Sequence, residues 1–300
     1  MSGKSRALLI LTYHRVLSAE DPLRKGEMTQ HALARHAVVL RRWFNVLPLW
    51  QAWRRTLEGT LPARAVAITF DDGYADNAEL ALPILKREAL TATFFVATGF
   101  LDGGRMWNDT IIESLRHARA PLDLRDLDGG LLASDDMQAR AKAVERVIGA
   151  WKRLPPAERQ HRVEALVERA KARPPDDLMM RSEQVSELAR SGMDVGAHTV
   201  SHPILRSISD AEAATEMRDS RARLEALTGA PVSTFAYPNG RLGDDYDARH
   251  AEIAKSVGFE LAVSTNSGTA HAGSDPYQLP RFGPWAESGW RFAARLLRAY

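Results

Sequence analysis

Short apolar runs alternate with helix-spaced patterns along this chain. Six β-rich runs, at 7–12, 65–70, 92–97, 193–197, 232–237 and 260–264, are separated by stretches whose apolar residues recur every three or four positions. Such alternation predicts a parallel α/β sheet or barrel. Ser209 with Glu212 three residues later reads as a capping box opening a helix that stops at Gly229. Ser182 is expected to cap a second helix ending at Gly192, and a third is expected over 244–258. The stretch 102–181 lacks strand patterns. Its Met137, Ala141, Val144, Ile148 and Trp151 fall at helical spacing, and Pro155-Pro156 and Pro174-Pro175 bound a further helix around Val163, Leu166, Val167 and Ala170. The expectation is a single domain over 1–300 with a helical insertion at 102–181.

The composition narrows the function classes. At 300 residues the chain can bury a sizeable core, and 45% hydrophobic with 26% charged residues excludes a disordered chain and a membrane bundle. Lys plus Arg number 40 against 38 Asp plus Glu, a net charge of +2, too even for nucleic-acid binding through a basic surface. With no Cys, disulfides, thiolate metal sites and cysteine nucleophiles are impossible. The basic start at residues 1–6 is followed by an apolar run shorter than a signal-peptide core, and no segment approaches the roughly 20 apolar residues of a membrane span. A cytoplasmic protein without an integral membrane segment is expected.

Three strand ends carry unusual polar chemistry. Thr69-Phe70-Asp71-Asp72-Gly73 places two adjacent carboxylates where a parallel strand opens onto the ligand-binding side of such folds. Successive residues there point in different directions, so one carboxylate can hold a metal while the other accepts a proton. His198-Thr-Val-Ser-His202-Pro203 presents two imidazoles at a spacing that can serve one cation. The third is Phe235-Ala-Tyr237-Pro238-Asn239-Gly240. Each alone is compatible with an ordinary turn. His31, His36, His117, His161 and His250 lie in polar helical contexts and read as solvated. Trp107, at the head of the insertion, reads as packing at a helix start.

Together these residues, in this order, resemble the polysaccharide deacetylase family, the family 4 carbohydrate esterases sharing the NodB homology domain. The opening Leu11-Thr-Tyr13-His14-Arg15-Val16 is similar to that of a subgroup beginning Tyr-His. The resemblance implies a distorted (β/α)7 barrel and an enzyme removing an N-acetyl group from an N-acetylated sugar. It implies that Asp72, His198 and His202 bind one divalent cation, zinc first, with cobalt, nickel, manganese or iron as alternatives. Asp71 would be the general base, and the Tyr237 backbone N–H would stabilise the oxyanion. Three departures follow from the same comparison. The family's Arg before the third-motif proline is Ala236 here, and Arg281 is the substitute expected to orient the base. The late Leu-x-His that supplies a general acid is missing, which leaves His14 as the expected acid and His271 as its alternative. The fourth motif, an acidic pair followed by Trp, has no clear counterpart. A carbohydrate-binding protein that has lost catalysis, and a ferrous oxygenase using the same ligand types, are the competing readings.

Overall fold

The computed structural model describes residues 7–283 and 289–300; the basic 1–6 segment lies outside them. These residues form two compact units, one drawn from 7–19, Glu27–Asp102, 179–283 and 289–300, the other from Glu20–Gly26 and Gly103–Leu178.

The first unit is a barrel of seven parallel strands: β1 (Leu8–Tyr13), β2 (Ala65–Phe70), β3 (Thr93–Val96), β4 (Asp194–Ala197), β5 (Thr234–Ala236), β6 (Leu261–Ser267) and β7 (Leu279–Arg281). They pair in chain order, and Phe282 hydrogen-bonds Ile10 and Thr12 to bring the last strand back to the first. All six residues of β2 are buried, as expected of a strand covered on both faces. The two-residue period of the strands divides their side chains between two cores. Leu8, Ile10, Ala65, Ala67, Phe95, Ala236, Val263 and Leu279 fill the interior. Leu9, Leu11, Val66, Ile68, Phe94 and Phe235 instead pack outward against the helices. Continued to the strand ends, the inward rows arrive at His14, Asp71 and Arg281. Periodicity alone therefore aims these three side chains at the carboxyl mouth of the barrel.

The surrounding helices are α1 (Gln30–Trp43), α2 (Leu49–Leu57), α3 (Leu82–Arg87), then α7 (Ser182–Arg190), α8 (Asp210–Thr228), α9 (Ala248–Val257) and α10 (Gly289–Arg298); α4 to α6 belong to the second unit. The box at the head of α8 is as expected: Ser209 Oγ accepts the Glu212 N–H, and Glu212 Oε2 accepts the Ser209 N–H. The helix ends at Gly229, with φ +69°. At α7 the cap is Arg181, and Ser182 is already the first helical residue, bonded through N–H and hydroxyl to Asp102. The third expected helix begins at Ala248, capped by Asp247, because 244–247 is held as a turn by Asp245 accepting the Arg241 N–H.

The second unit contains α4 (Trp107–His117), α5 (Met137–Trp151) and α6 (Pro156–Ala170) around Ile111, Leu115, Val147, Trp151, Val163 and Leu166. The expectation of no strands there is corrected by a short antiparallel hairpin, Leu122–Leu124 with Gly130–Leu132. Three-residue strands are too brief to leave a visible alternation. Residues 20–26 join this unit, with Arg24 paired to Asp109 at 2.7 Å and Glu113 at 2.9 Å. Among the described residues no helix is long and apolar enough to cross a membrane.

Candidate active site

Asp72, His198 and His202 meet just beyond the ends of β2 and β4. Nε2 of both imidazoles lies 3.4 Å from the same oxygen, Asp72 Oδ1. One candidate ligand atom from each residue can be chosen so that all lie within 4.8 Å of one another. Ligands about 2.0–2.1 Å from a tetrahedral zinc stand roughly 3.4 Å apart, so the observed separations suit donors sharing an ion and are long for hydrogen bonds. The tautomer agrees. His198 Nδ1 lies 2.7 Å from the Ala236 carbonyl, which can only accept, so Nδ1 carries a proton and Nε2 is the nitrogen turned to Asp72 and available to a cation. On both counts the residues fit a divalent cation.

The backbone is bent to achieve this. Asp72 (φ +76°), Thr199 (+66°), His202 (+52°) and Asn239 (+58°) are all left-handed without being glycine, and all lie just past strand ends. Such conformations cost about 1–3 kcal/mol each and persist only where surroundings impose them. After Asp72, Gly73 turns at φ +86°, where a Cβ would stand 2.9 Å from Val96 Cγ1. The His198–His202 turn is closed by Thr199 Oγ1 accepting the His202 N–H. It is clamped from α8 by Glu216, which accepts the N–H groups of Val200 and Ser201 at 2.7 and 2.8 Å. Glu216 is absent from any sequence motif; only its place on the helix after the histidines hints at it.

Asp71 is turned away from that trio. It is 2% exposed and held by Arg281, itself 1% exposed, with Nη1 at 2.7 Å from Oδ1 and Nη2 at 2.6 Å from Oδ2. Arg281 also donates to Ser264 O and Thr69 Oγ1. Burial alone would raise the Asp71 pKa, but the charge and hydrogen bonds of Arg281 outweigh it and hold the carboxyl below the usual range. Burial likewise opposes the Asp72 charge, and the two imidazoles overcome it, so Asp72 is ionised. At His198, burial disfavours the imidazolium, yet Asp72 raises its pKa above 6.5; at His202, burial dominates and the pKa falls to about 4.

His14 Nε2 stands 3.9 Å from Asp71 Oδ2 with its side chain 40% exposed, open to an incoming ligand. Its backbone is fixed by Asn77, whose Nδ2 donates to His14 O at 2.8 Å, while Asp76 accepts the Val16 N–H and pairs with Arg15. Glu27 was invisible to sequence reasoning, since nothing in its neighbourhood suggests a strand end. Burial pushes its carboxyl up, while His14 pulls it back.

Four placements correct the sequence reading. Tyr237 N–H donates to Val263 O at 3.2 Å, so the amide expected to face an oxyanion is committed to the sheet, and its ring stacks on Tyr246 among the outer residues. His271 sits beside Ala270, which pairs with Leu8 at the opening of β1; it lies at the opposite end of the barrel from Asp71. His36 is fully buried, hydrogen-bonded to Tyr13 and stacked 3.7 Å from Phe292. His250 is also fully buried, with Nδ1 accepting the Asp247 N–H at the head of α9.

Comparison with known proteins gives the family and the fold. A family profile described as polysaccharide deacetylase matches residues 58–123 and 131–262. The curated Bacillus subtilis protein YxkH, named for the polysaccharide deacetylases, is 23% identical over 93% of this chain and 71% of its own length. The Streptococcus pyogenes deacetylase PplD, solved in complex with acetate, superposes with a TM-score of 0.66 at 21% identity, covering 99% of both chains. IcaB from Ammonifex degensii superposes at 0.63, with 21% identity over 97% of both chains. The chain belongs to the polysaccharide deacetylase family of carbohydrate-deacetylating hydrolases.

Proposed function

We propose that this protein is a metal-dependent N-deacetylase of an N-acetylated sugar. One observation carries the reading: Asp72, His198 and His202 converge on a cation-sized gap, while the adjacent Asp71 is held out of it by Arg281. Asp72 and the two histidines would hold the cation. When bound, it would supply positive charge that polarises the acetyl carbonyl and acidifies a water.

The remaining work falls to the chain's own groups. Asp71, kept ionised by Arg281, takes a proton from the attacking water. The two guanidinium hydrogen bonds fix the carboxylate plane and leave proton acceptance to lone pairs on the mouth side. His14, partly exposed beside Asp71, donates a proton to the departing amine. Since the Tyr237 amide is committed, we assign oxyanion donation to the next N–H past Pro238, that of Asn239. Among the described residues it has no hydrogen-bond acceptor, and its residue turns at φ +58°. His14 offers an acid in place of the missing Leu-x-His, so loss of catalysis is not the favoured reading.

Acetate release from N-acetylglucosamine oligosaccharides by zinc-loaded protein tests this. Asp71→Asn is expected to lower kcat by about 100-fold or more, the scale of a general base. Retained turnover in that variant would refute the assignment.

A further inference from the structure

The outward face of α10 has no role in the chemistry above, and it has an unusual composition. Phe292 and Leu296 point into the core. The opposite side carries two parallel rows at i, i+4 and i+7: Trp290, Ala294 and Leu297, and beside them Arg291, Arg295 and Arg298. Trp290 is 71% exposed and Leu297 51%. Neighbouring α1, joined through His36 stacked on Phe292, adds Val38 and Trp43, each 49% exposed, and Arg42. Neither helix contains an acidic residue. Among the described residues, Arg42, Arg291, Arg295 and Arg298 make no ion pair, and Phe282, Trp290 and the α10 arginines line a shallow groove.

We propose that the α10 face, extended by α1, docks on an anionic lipid bilayer. An exposed tryptophan and leucine beside an arginine row, on a helix already anchored by its other face, is the pattern of an in-plane interfacial helix. Trp290 and Leu297 enter the headgroup boundary, and the arginines meet lipid phosphates by bidentate hydrogen bonds. Three arginines on a helix that itself carries no acidic residue select for negative charge, and a large exposed indole selects for an apolar interface over a purely polar polyanion. α10 runs with its first turn toward the barrel mouth, since Tyr300 near its far end donates to Ala65 O at the start of β2. Docking along this helix therefore leaves the mouth at the membrane edge, within reach of a lipid-borne sugar.

Sedimentation with vesicles of phosphatidylcholine containing roughly one third phosphatidylglycerol tests the proposal. Binding is expected to these vesicles and not to pure phosphatidylcholine, and to weaken as salt rises. Replacing all three arginines (R291Q/R295Q/R298Q) should lower partitioning on the order of 100-fold, about fivefold per charge, and Trp290→Ser with Leu297→Ser roughly tenfold. The substituted side chains are exposed, so both variants should keep wild-type acetate release from a soluble oligosaccharide, which separates this proposal from the assignment of the active site. Absence of binding at low salt, or equal binding by the variants, would overturn it. So would binding to an anionic polysaccharide but not to vesicles.

Discussion

Replacing Arg281 by methionine is the sharpest probe of how the base is held. The substitution keeps an unbranched side chain in a fully enclosed position but removes both hydrogen bonds to Asp71 and those to Thr69 and Ser264. Asp71 is 2% exposed, so water cannot replace the lost donors, and the charge interactions left to it among the described residues are the weaker ones with His198 and with His14, whose Nε2 is 3.9 Å away. Breaking a buried pair on one side costs about 3–5 kcal/mol, which for a chain of this size lowers Tm by on the order of 10 °C. The pKa consequence has a definite sign. Burial raises the Asp71 pKa and Arg281 lowers it to a net depression. That depressed carboxylate stabilises the native state above its unfolded pKa, and the contribution is lost as pH falls through the folded pKa. Without Arg281, burial, the largest influence, is opposed only by the smaller pulls of His198 and His14, so the folded pKa rises and the stability gained from the ionised carboxylate shrinks or reverses on the acid side. The acid limb of the kcat/KM profile should therefore move to higher pH. Asp71→Asn combined with Arg281→Met removes the stranded charge and should be more stable than Arg281→Met alone. Unchanged stability and an unmoved acid limb in Arg281→Met would refute the reasoning, as would a double variant no more stable than the single.

Other expectations follow from the same geometry. Removing the metal with a chelator, or removing a ligand by His198→Ala, should abolish acetate release, and re-added zinc should restore the wild type only. In metal-free protein the His202 pKa of about 4 lies below its unfolded value near 6.5. The unfolded chain thus binds more protons between those values, and stability should fall as pH drops through that window, by up to about 3 kcal/mol; denaturant titrations of His202→Gln should show a flatter dependence. Asn77→Ala removes the donor to the His14 carbonyl, and steady-state kinetics should show kcat lowered about tenfold with KM little changed. Gly196→Ala would drive a methyl into the Phe95 ring and to 2.6 Å from Thr234 Oγ1, so thermal unfolding should report about 1–3 kcal/mol of destabilisation.

What the sequence could say depended on how local each feature is. The apolar runs and the box at Ser209 are set by neighbours a few residues apart, and they appear in the structure where the pattern places them. The three strand-end motifs were legible because polar residues directly after buried strands conflict with burial and demand another reason. Arg281 was reachable as a compensation for Ala236, though its bond to Asp71 spans 210 positions. His36 was misread because its polarity was weighed above its place on the apolar stripe of Leu33, Ala37 and Leu40; stacking on Phe292 and the Tyr13 hydroxyl satisfies it in the core. Tyr237 was misread because sequence does not reveal where a ladder ends: hydrogen bonding continues one residue past the last assigned position of β5. Glu216 and Glu27 act through tertiary placement alone and leave no local trace.

X-ray absorption at the zinc edge of the reconstituted protein tests the central claim most directly. One zinc per chain is expected, with two imidazole nitrogens and a carboxylate oxygen among its neighbours at about 2.0–2.1 Å, and loss of that signature in Asp72→Ala and His202→Ala but not in Asp71→Asn. An unaltered spectrum in Asp72→Ala, or loss of the metal in Asp71→Asn, would contradict it.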